Sequence, residues 1–293
     1  MVRIGFGALA LLLLACSAAL ADSPPYNAAI ERLSVPQSAF VWYPSAAPER
    51  PWQAGPWTVT ATQGAAPATG QRFPLILFAQ GDETPLMHAH LAAALARNGF
   101  VVVMPIYTAA RHVLLGPRQA EAALAATLED ARLAPILDPA RVGMVGHSLG
   151  GAVGLILAGG KLDQARYAAY CRTAPADPGA CRARAMPGPL PSPIVEHPLK
   201  ALVLSDPLAA PFDVEGLSAV RMPVLLYRPE NSAAALESVL PQSSVLRALP
   251  SAEGILLDPC PAGATGCRPS KADWLALRDQ VEAEIVAFFR AHL

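Results

Sequence analysis

Short, unbroken apolar runs recur along the chain, each followed by a stretch with the character of a helix. FPLILF at Phe73–Phe78, FVVVM at Phe100–Met104 and VGMV at Val142–Val145 are too short for helices and too continuous for strands with one wet face. Runs of that kind belong to strands buried on both sides. Between them, Leu91–Arg97 reads as a helix ended by Asn98-Gly99. Gln119–Leu133 is alanine-rich and helical, and Ser148–Ala158 follows the third run as another helix. Upstream, Val41–Pro44 and Trp57–Thr60 look like edge strands separated by a proline-rich loop. Downstream, Ala201–Leu204, Val224–Tyr227 and Val245–Leu249 are strand-like, and Lys271–His292 is a closing amphipathic helix. Strand alternating with helix predicts an α/β fold, a mainly parallel sheet with helices on both faces. No internal repeat or low-complexity linker divides the chain, so one domain is expected over 22–293. Residues 171–198, rich in proline and holding two cysteines, are expected to form an excursion over the sheet edge.

Composition narrows the function classes. At 293 residues and 53% hydrophobic, the chain has material for a large core. Its formal charge of −1 and the absence of any basic stripe argue against nucleic-acid binding, which needs clustered Lys and Arg. The first 21 residues read as an export signal: Arg3 is the positive region, Phe6–Ala15 the apolar region, and Ala19-Leu20-Ala21 a small-x-small cleavage site before Asp22. Cys16, in Leu13-Leu14-Ala15-Cys16, offers a loose lipoprotein site as the alternative. The apolar run is short of the ~20 residues a membrane span needs, and no later stretch is long and apolar enough to cross a membrane. A secreted or periplasmic protein is therefore expected. Cleavage leaves Cys171, Cys181, Cys260 and Cys267. An even count in an exported chain suggests disulfides, with 171–181 and 260–267 the simplest pairing. No histidine lies close to either pair, which weakens a zinc site.

One motif carries chemistry. Gly146-His147-Ser148-Leu149-Gly150-Gly151 matches G-x-S-x-G, with a buried strand directly before it and a helix directly after. That is the strand-turn-helix setting of a serine nucleophile elbow. The turn is sharp, so the glycines Gly146 and Gly150 let the backbone pass. It lifts the Ser148 hydroxyl to a helix N-terminus, where backbone N–H groups favour negative charge. The Leu149 N–H is a candidate oxyanion donor.

From about Val41 to the C-terminus the chain resembles the predicted dienelactone hydrolases, relatives of the platelet-activating-factor acetylhydrolases and of bacterial polyester hydrolases. The resemblance rests on VWYPSAAP at 41–48, GPWTVT at 55–60, FPLILFAQG at 73–81 and LARNGFVVVMP at 95–105. It continues in LDPARVGMVGHSLGG at 137–151, LLDPC at 256–260 and IVAFFRAHL at 285–293. It implies an α/β-hydrolase fold, hydrolysis of a small-molecule ester or lactone, no metal or organic cofactor, and a Ser-Asp-His triad in that chain order. Asp206 matches the acid position, with Glu230 at the end of the next strand as competitor. Such an acid orients an imidazole and stabilises its charged form.

Two positions depart from the family. Its histidine lies in the loop just before the cysteine of LLDPC, and here Glu253 occupies that place. After Ser148 only His197 and His292 remain, and neither is in the expected position. The oxyanion loop, usually Ser-His-Gly, is Ala79-Gln80-Gly81-Asp82, which keeps a backbone donor at Asp82 but adds a carboxylate that opposes a developing oxyanion. His88 or His90, at the start of the helix after that loop, are the other candidate bases. Two readings follow: an ester hydrolase with an altered triad, or a pseudoenzyme that keeps the pocket for binding.

Overall fold

The computed structural model describes residues 24–34, 38–54, 56–81, 84–107, 115–173, 181, 197–230, 236, 240, 244–249, 254–258 and 272–293. Eleven strands are present among them: β1 (Asn27–Leu33), β2 (Ala39–Ser45), β3 (Pro51–Ala54), β4 (Trp57–Thr60), β5 (Thr62–Gln63), β6 (Phe73–Ala79), β7 (Val101–Pro105), β8 (Leu137–His147), β9 (Ala201–Ser205), β10 (Val224–Pro229) and β11 (Val245–Leu249). The α-helices are α1 (Ala89–Arg97), α2 (Gly116–Glu129), α3 (Leu149–Leu157), α4 (Gln164–Thr173) and α5 (Ala272–His292).

Nine strands form one sheet in the order β11-β10-β9-β8-β6-β7-β2-β1-β5, and β3 and β4 pair in a separate two-stranded sheet. From β7 across to β11 every neighbouring pair is parallel. β2 runs antiparallel to both β7 and β1. The protein is thus α/β with a large, mostly parallel mixed sheet. The continuous apolar runs explain this sheet: β6, β7 and β9 are buried at every position. Their alternate residues feed two separate cores. Leu75, Leu77, Val101, Val103, Met144, Leu202 and Leu204 pack under α2 and α3. Ile76, Phe78, Val102, Met104, Val145, Val203 and Leu225 pack under α1 and α5.

Several expectations need correction. Val41–Pro44 is not an edge strand, because β1 pairs along the whole length of β2 and makes it internal. β1 (NAAIERL) lacks both a continuous apolar run and clean alternation, so its pattern does not mark it as a strand. Trp57–Thr60 stands outside the main sheet, in the hairpin with Pro51–Ala54. The helix expected at Gln119–Leu133 starts earlier, at Gly116-Pro117, and ends at Glu129. Asp130 turns the chain there, its carboxylate accepting the amides of Arg132 and Leu133 at 3.0 and 3.1 Å. α4 was not anticipated. No helix among the described residues is long and apolar enough to cross a membrane.

Cys171, at the end of α4, is bonded to Cys181, with Cα atoms 5.4 Å apart. Cys260, Cys267, residues 1–21 and most of 171–198 lie outside the described residues.

Candidate active site

The strand order reverses direction at one place. After β6 the chain moves to β7 on one side, then returns to β8 on the other side of β6 and proceeds outward to β11. In open α/β sheets a crevice forms at such a point, outside the carboxyl ends of the strands. Two loops flank it: Gln80-Gly81 after β6 and the Ser148 turn after β8.

Ser148 has φ 52° and ψ −117°, one of two non-glycine residues among those described with positive φ. That conformation costs on the order of 1–3 kcal/mol and persists only where surroundings enforce it. Hydrogen bonds enforce it here. The Ser148 amide donates to Ser205 O at 3.0 Å, and Ser148 O accepts from Gly151 N and Leu208 N at 3.0 Å each. The turn is compressed from below as well. A Cβ on Gly146 would lie 2.6 Å from Gly150 O and 2.8 Å from Gly151 Cα, and a Cβ on Gly150 would overlap the Ala79 carbonyl. Glycine is required at both places because α3 starts directly against the ends of β6 and β8. The half-buried Ser148 therefore stands at the N-cap position of α3, where its side chain makes no capping hydrogen bond. The Leu149 N–H is the first of the helix amides that have no partner within the helix.

Asp206 is the other residue with positive φ, at 44°. β8 and β9 are in register at His147↔Ser205, so Ser148 and Asp206 leave the same sheet edge side by side, about 5 Å apart as parallel neighbours are. The Asp206 amide donates to Tyr227 O at 2.9 Å, which fixes the turn. Glu230 follows β10, one strand further out, and is exposed.

The histidines separate clearly. His292 ends α5, near the amino end of β8: Leu293 O accepts from Arg141 at 3.5 Å, and the preceding Arg290 donates to Asn98 at 2.7 Å. His197 precedes β9, also at the amino edge. Both lie across the sheet from Ser148. His90 Nδ1 lies against the Glu282 carboxylate of α5, on the outer side of α1. His88 is fully buried behind the elbow strand; its ring lies 4.9 Å from Phe78 and 5.5 Å from His147, and its Nδ1 is 2.9 Å from Leu256 O. Asp82 and Glu253 lie outside the described residues.

A buried polar layer beneath the elbow was not anticipated: Gln80, His88, His147 and Ser205 are at most 4% exposed. Gln80 Nε2 donates to Pro105 O at 2.8 Å and ties the end of β6 to β7. The signal was present, since FAQG, VGHS and VLSD each end an apolar strand on a polar residue.

The chain matches no protein-family model, and no curated protein matches it either.

Asp258 sits at the start of α1, its amide donating to Met87 O. Its carboxylate accepts the His90 amide at 3.1 Å, and the Arg278 guanidinium is 3.9 Å away. Burial pushes its carboxyl up to about 6, against the opposing pull of His90, Arg278 and the His90 and Ala89 amides. A cleft of about 530 Å³ opens on the outer side of α1, lined by Trp57, Val59, Ala93, His90, Asp258 and Arg278 among others. Neither Ser148 nor Asp206 lines it.

Proposed function

We propose that this protein is an exported serine hydrolase of carboxylic esters or lactones, of the α/β-hydrolase type and related to the predicted dienelactone hydrolases. One observation carries the reading: a serine held at φ 52° on the carboxyl edge of the sheet, at its switch point, by three backbone hydrogen bonds. Such strain has no structural use at a strand-to-helix turn that any glycine would satisfy. The hydroxyl it presents is what an acyl transfer needs. The strand order and the Cys171–Cys181 disulfide add support, the second because disulfides persist in oxidising compartments.

In this reading the Ser148 Oγ attacks the ester carbonyl carbon and its proton passes to a base. The Leu149 and Asp82 amides hold the oxyanion. Collapse breaks the ester C–O bond and leaves an acyl-enzyme, and the alcohol departs with the proton. Water then attacks the acyl carbon and releases the acid. Asp206 lies where an acid could orient the base. The base is the weak link, because Glu253 stands in the family's histidine position. A carboxylate does not take a proton near neutral pH and return it as imidazole does. Intrinsic turnover is therefore low.

The second reading, a pseudoenzyme that binds without turnover, is favoured by one observation. His197 and His292 lie at the opposite sheet edge and His90 faces Glu282. The hydrolase reading has a direct test at position 253. Glu253→His raises nitrophenyl acetate hydrolysis by roughly tenfold or more, and adding Ser148→Ala removes the gain. A Glu253→His rate equal to wild type contradicts the hydrolase reading.

A further inference from the structure

We propose that the cleft on the outer side of α1 binds a small monocarboxylic acid with an apolar chain, its carboxylate held by Arg278. The cleft, about 530 Å³, is walled by β4, α1, Asp258 and Arg278 of α5, and its volume is that of a small-molecule site. Neither Ser148 nor Asp206 lines it, so the proposal stands apart from the hydrolase reading. Four of its lining side chains are apolar: Trp57, Val59, Ala89 and Ala93. Ala89 and Ala93 are one turn apart and share a face of α1. Their small side chains leave room for a guest chain to lie along the helix.

Two arginines also line the cleft, and they are matched very differently. Arg97 donates to both carboxylate oxygens of Glu49 at 2.8 Å each. Arg278 has no such partner among the described residues. Its carboxylate neighbours are Asp279, at 3.4 Å and 65% exposed, and Asp258, at 3.9 Å and beyond hydrogen-bond reach. Its Nε, shut off from water, has no hydrogen-bond partner among the described residues. Yet only 13% of the side chain is exposed. A guanidinium keeps its proton, and its planar fork of donors suits a carboxylate. Asp258 limits the charge such a guest can carry. Its carboxylate already accepts the His90 amide at 3.1 Å and stands beside Arg278. One further negative charge is offset by Arg278, while a second would be opposed by Asp258, which favours a monocarboxylate over a phosphate dianion. The apolar walls then take the chain.

Calorimetric titration of the full wild-type chain with hexanoate near neutral pH tests this. Saturable binding at one site is expected, with Kd on the order of 1 mM or tighter. Hexanol and hexylammonium should bind roughly tenfold more weakly or not at all. No hexanoate binding, or equal binding of either analogue, overturns the proposal, and these arms need no variant. Arg278→Gln should weaken hexanoate binding by roughly tenfold or more. Ala93→Phe, which fills the wall of the cleft, should do the same. Asp258→Asn removes the opposing charge and should tighten binding by roughly twofold to fivefold. Unchanged affinity in Arg278→Gln or Ala93→Phe would put the hexanoate elsewhere and overturn the proposal, as would binding in Asp258→Asn no tighter than wild type.

Discussion

Gly146→Ala is the sharpest test of how the elbow is built. The new Cβ would sit 2.6 Å from Gly150 O and 2.8 Å from Gly151 Cα, where Cβ atoms essentially never come closer than 3.0 Å. The first contact alone demands a shift of at least 0.4 Å, the difference between 3.0 and 2.6. Both obstructing atoms are backbone in the first turn of α3, so no side-chain rotation relieves them. α3 must move off β8, and Ser148 moves with it. Overpacking a dense interior costs about 1–3 kcal/mol, and backbone obstruction puts this case near 3 kcal/mol. Gly154→Ala is the control one turn further along α3. Its Cβ would meet Leu202 Cδ1 at 3.1 Å and Met144 Cε at 3.4 Å, both ends of side chains. Alanine also gains about 1 kcal/mol of helix propensity over glycine, so this variant should stay within about 1 kcal/mol of wild type. Urea denaturation of the two variants, with m-values compared, gives the answer. Equal stabilities would refute the close approach of α3 to the strand ends.

Three further outcomes follow from named groups. The folded pKa of Asp258, about 6, lies above its unfolded value near 3.8, so the folded state binds the proton more tightly and this contribution to stability is lost as pH rises from about 4 through about 6. A rise of that size corresponds to about 3 kcal/mol, and Asp258→Asn should flatten the stability profile over that range; an unchanged profile refutes the burial of the charge. Replacing Cys171 and Cys181 by serine should cost about 2–3 kcal/mol for a sequence separation of 10, and peptide mapping of the unreduced protein that found either thiol free would contradict the pairing. Ser148→Gly should be more stable than Ser148→Ala by about 1 kcal/mol, since glycine relieves the positive φ and alanine does not; a less stable glycine variant would show the turn to be unstrained.

The parts legible in the sequence were those where burial is total. β6, β7, β9 and β10 are apolar through their cores because both faces are covered, and periodicity reads that state directly. The elbow was legible because Gly146 and Gly150 mark a close approach that any side chain would block. β1 escaped because its place depends on pairing with β2, from Leu33↔Ala39 at the inner end to Asn27↔Ser45 at the outer. No local pattern encodes such pairing. The burial of His88 was also invisible, since its neighbours are Leu256, 168 residues away, and His147 on another strand. A polar residue on the first turn of a helix looks the same whether it faces water or a buried carbonyl.

If Ser148 is built as an acyl-accepting nucleophile and lacks only a competent base, supplying the base should let the acyl-enzyme be caught. The decisive observation is the mass of the Glu253→His protein trapped by acid quench during nitrophenyl acetate turnover, followed by peptide mapping. One acetyl group is expected on the peptide that contains Ser148, with no adduct there after Ser148→Ala. An acetyl group located elsewhere, or hydrolysis that proceeds equally without Ser148, would contradict the assignment of Ser148 as nucleophile.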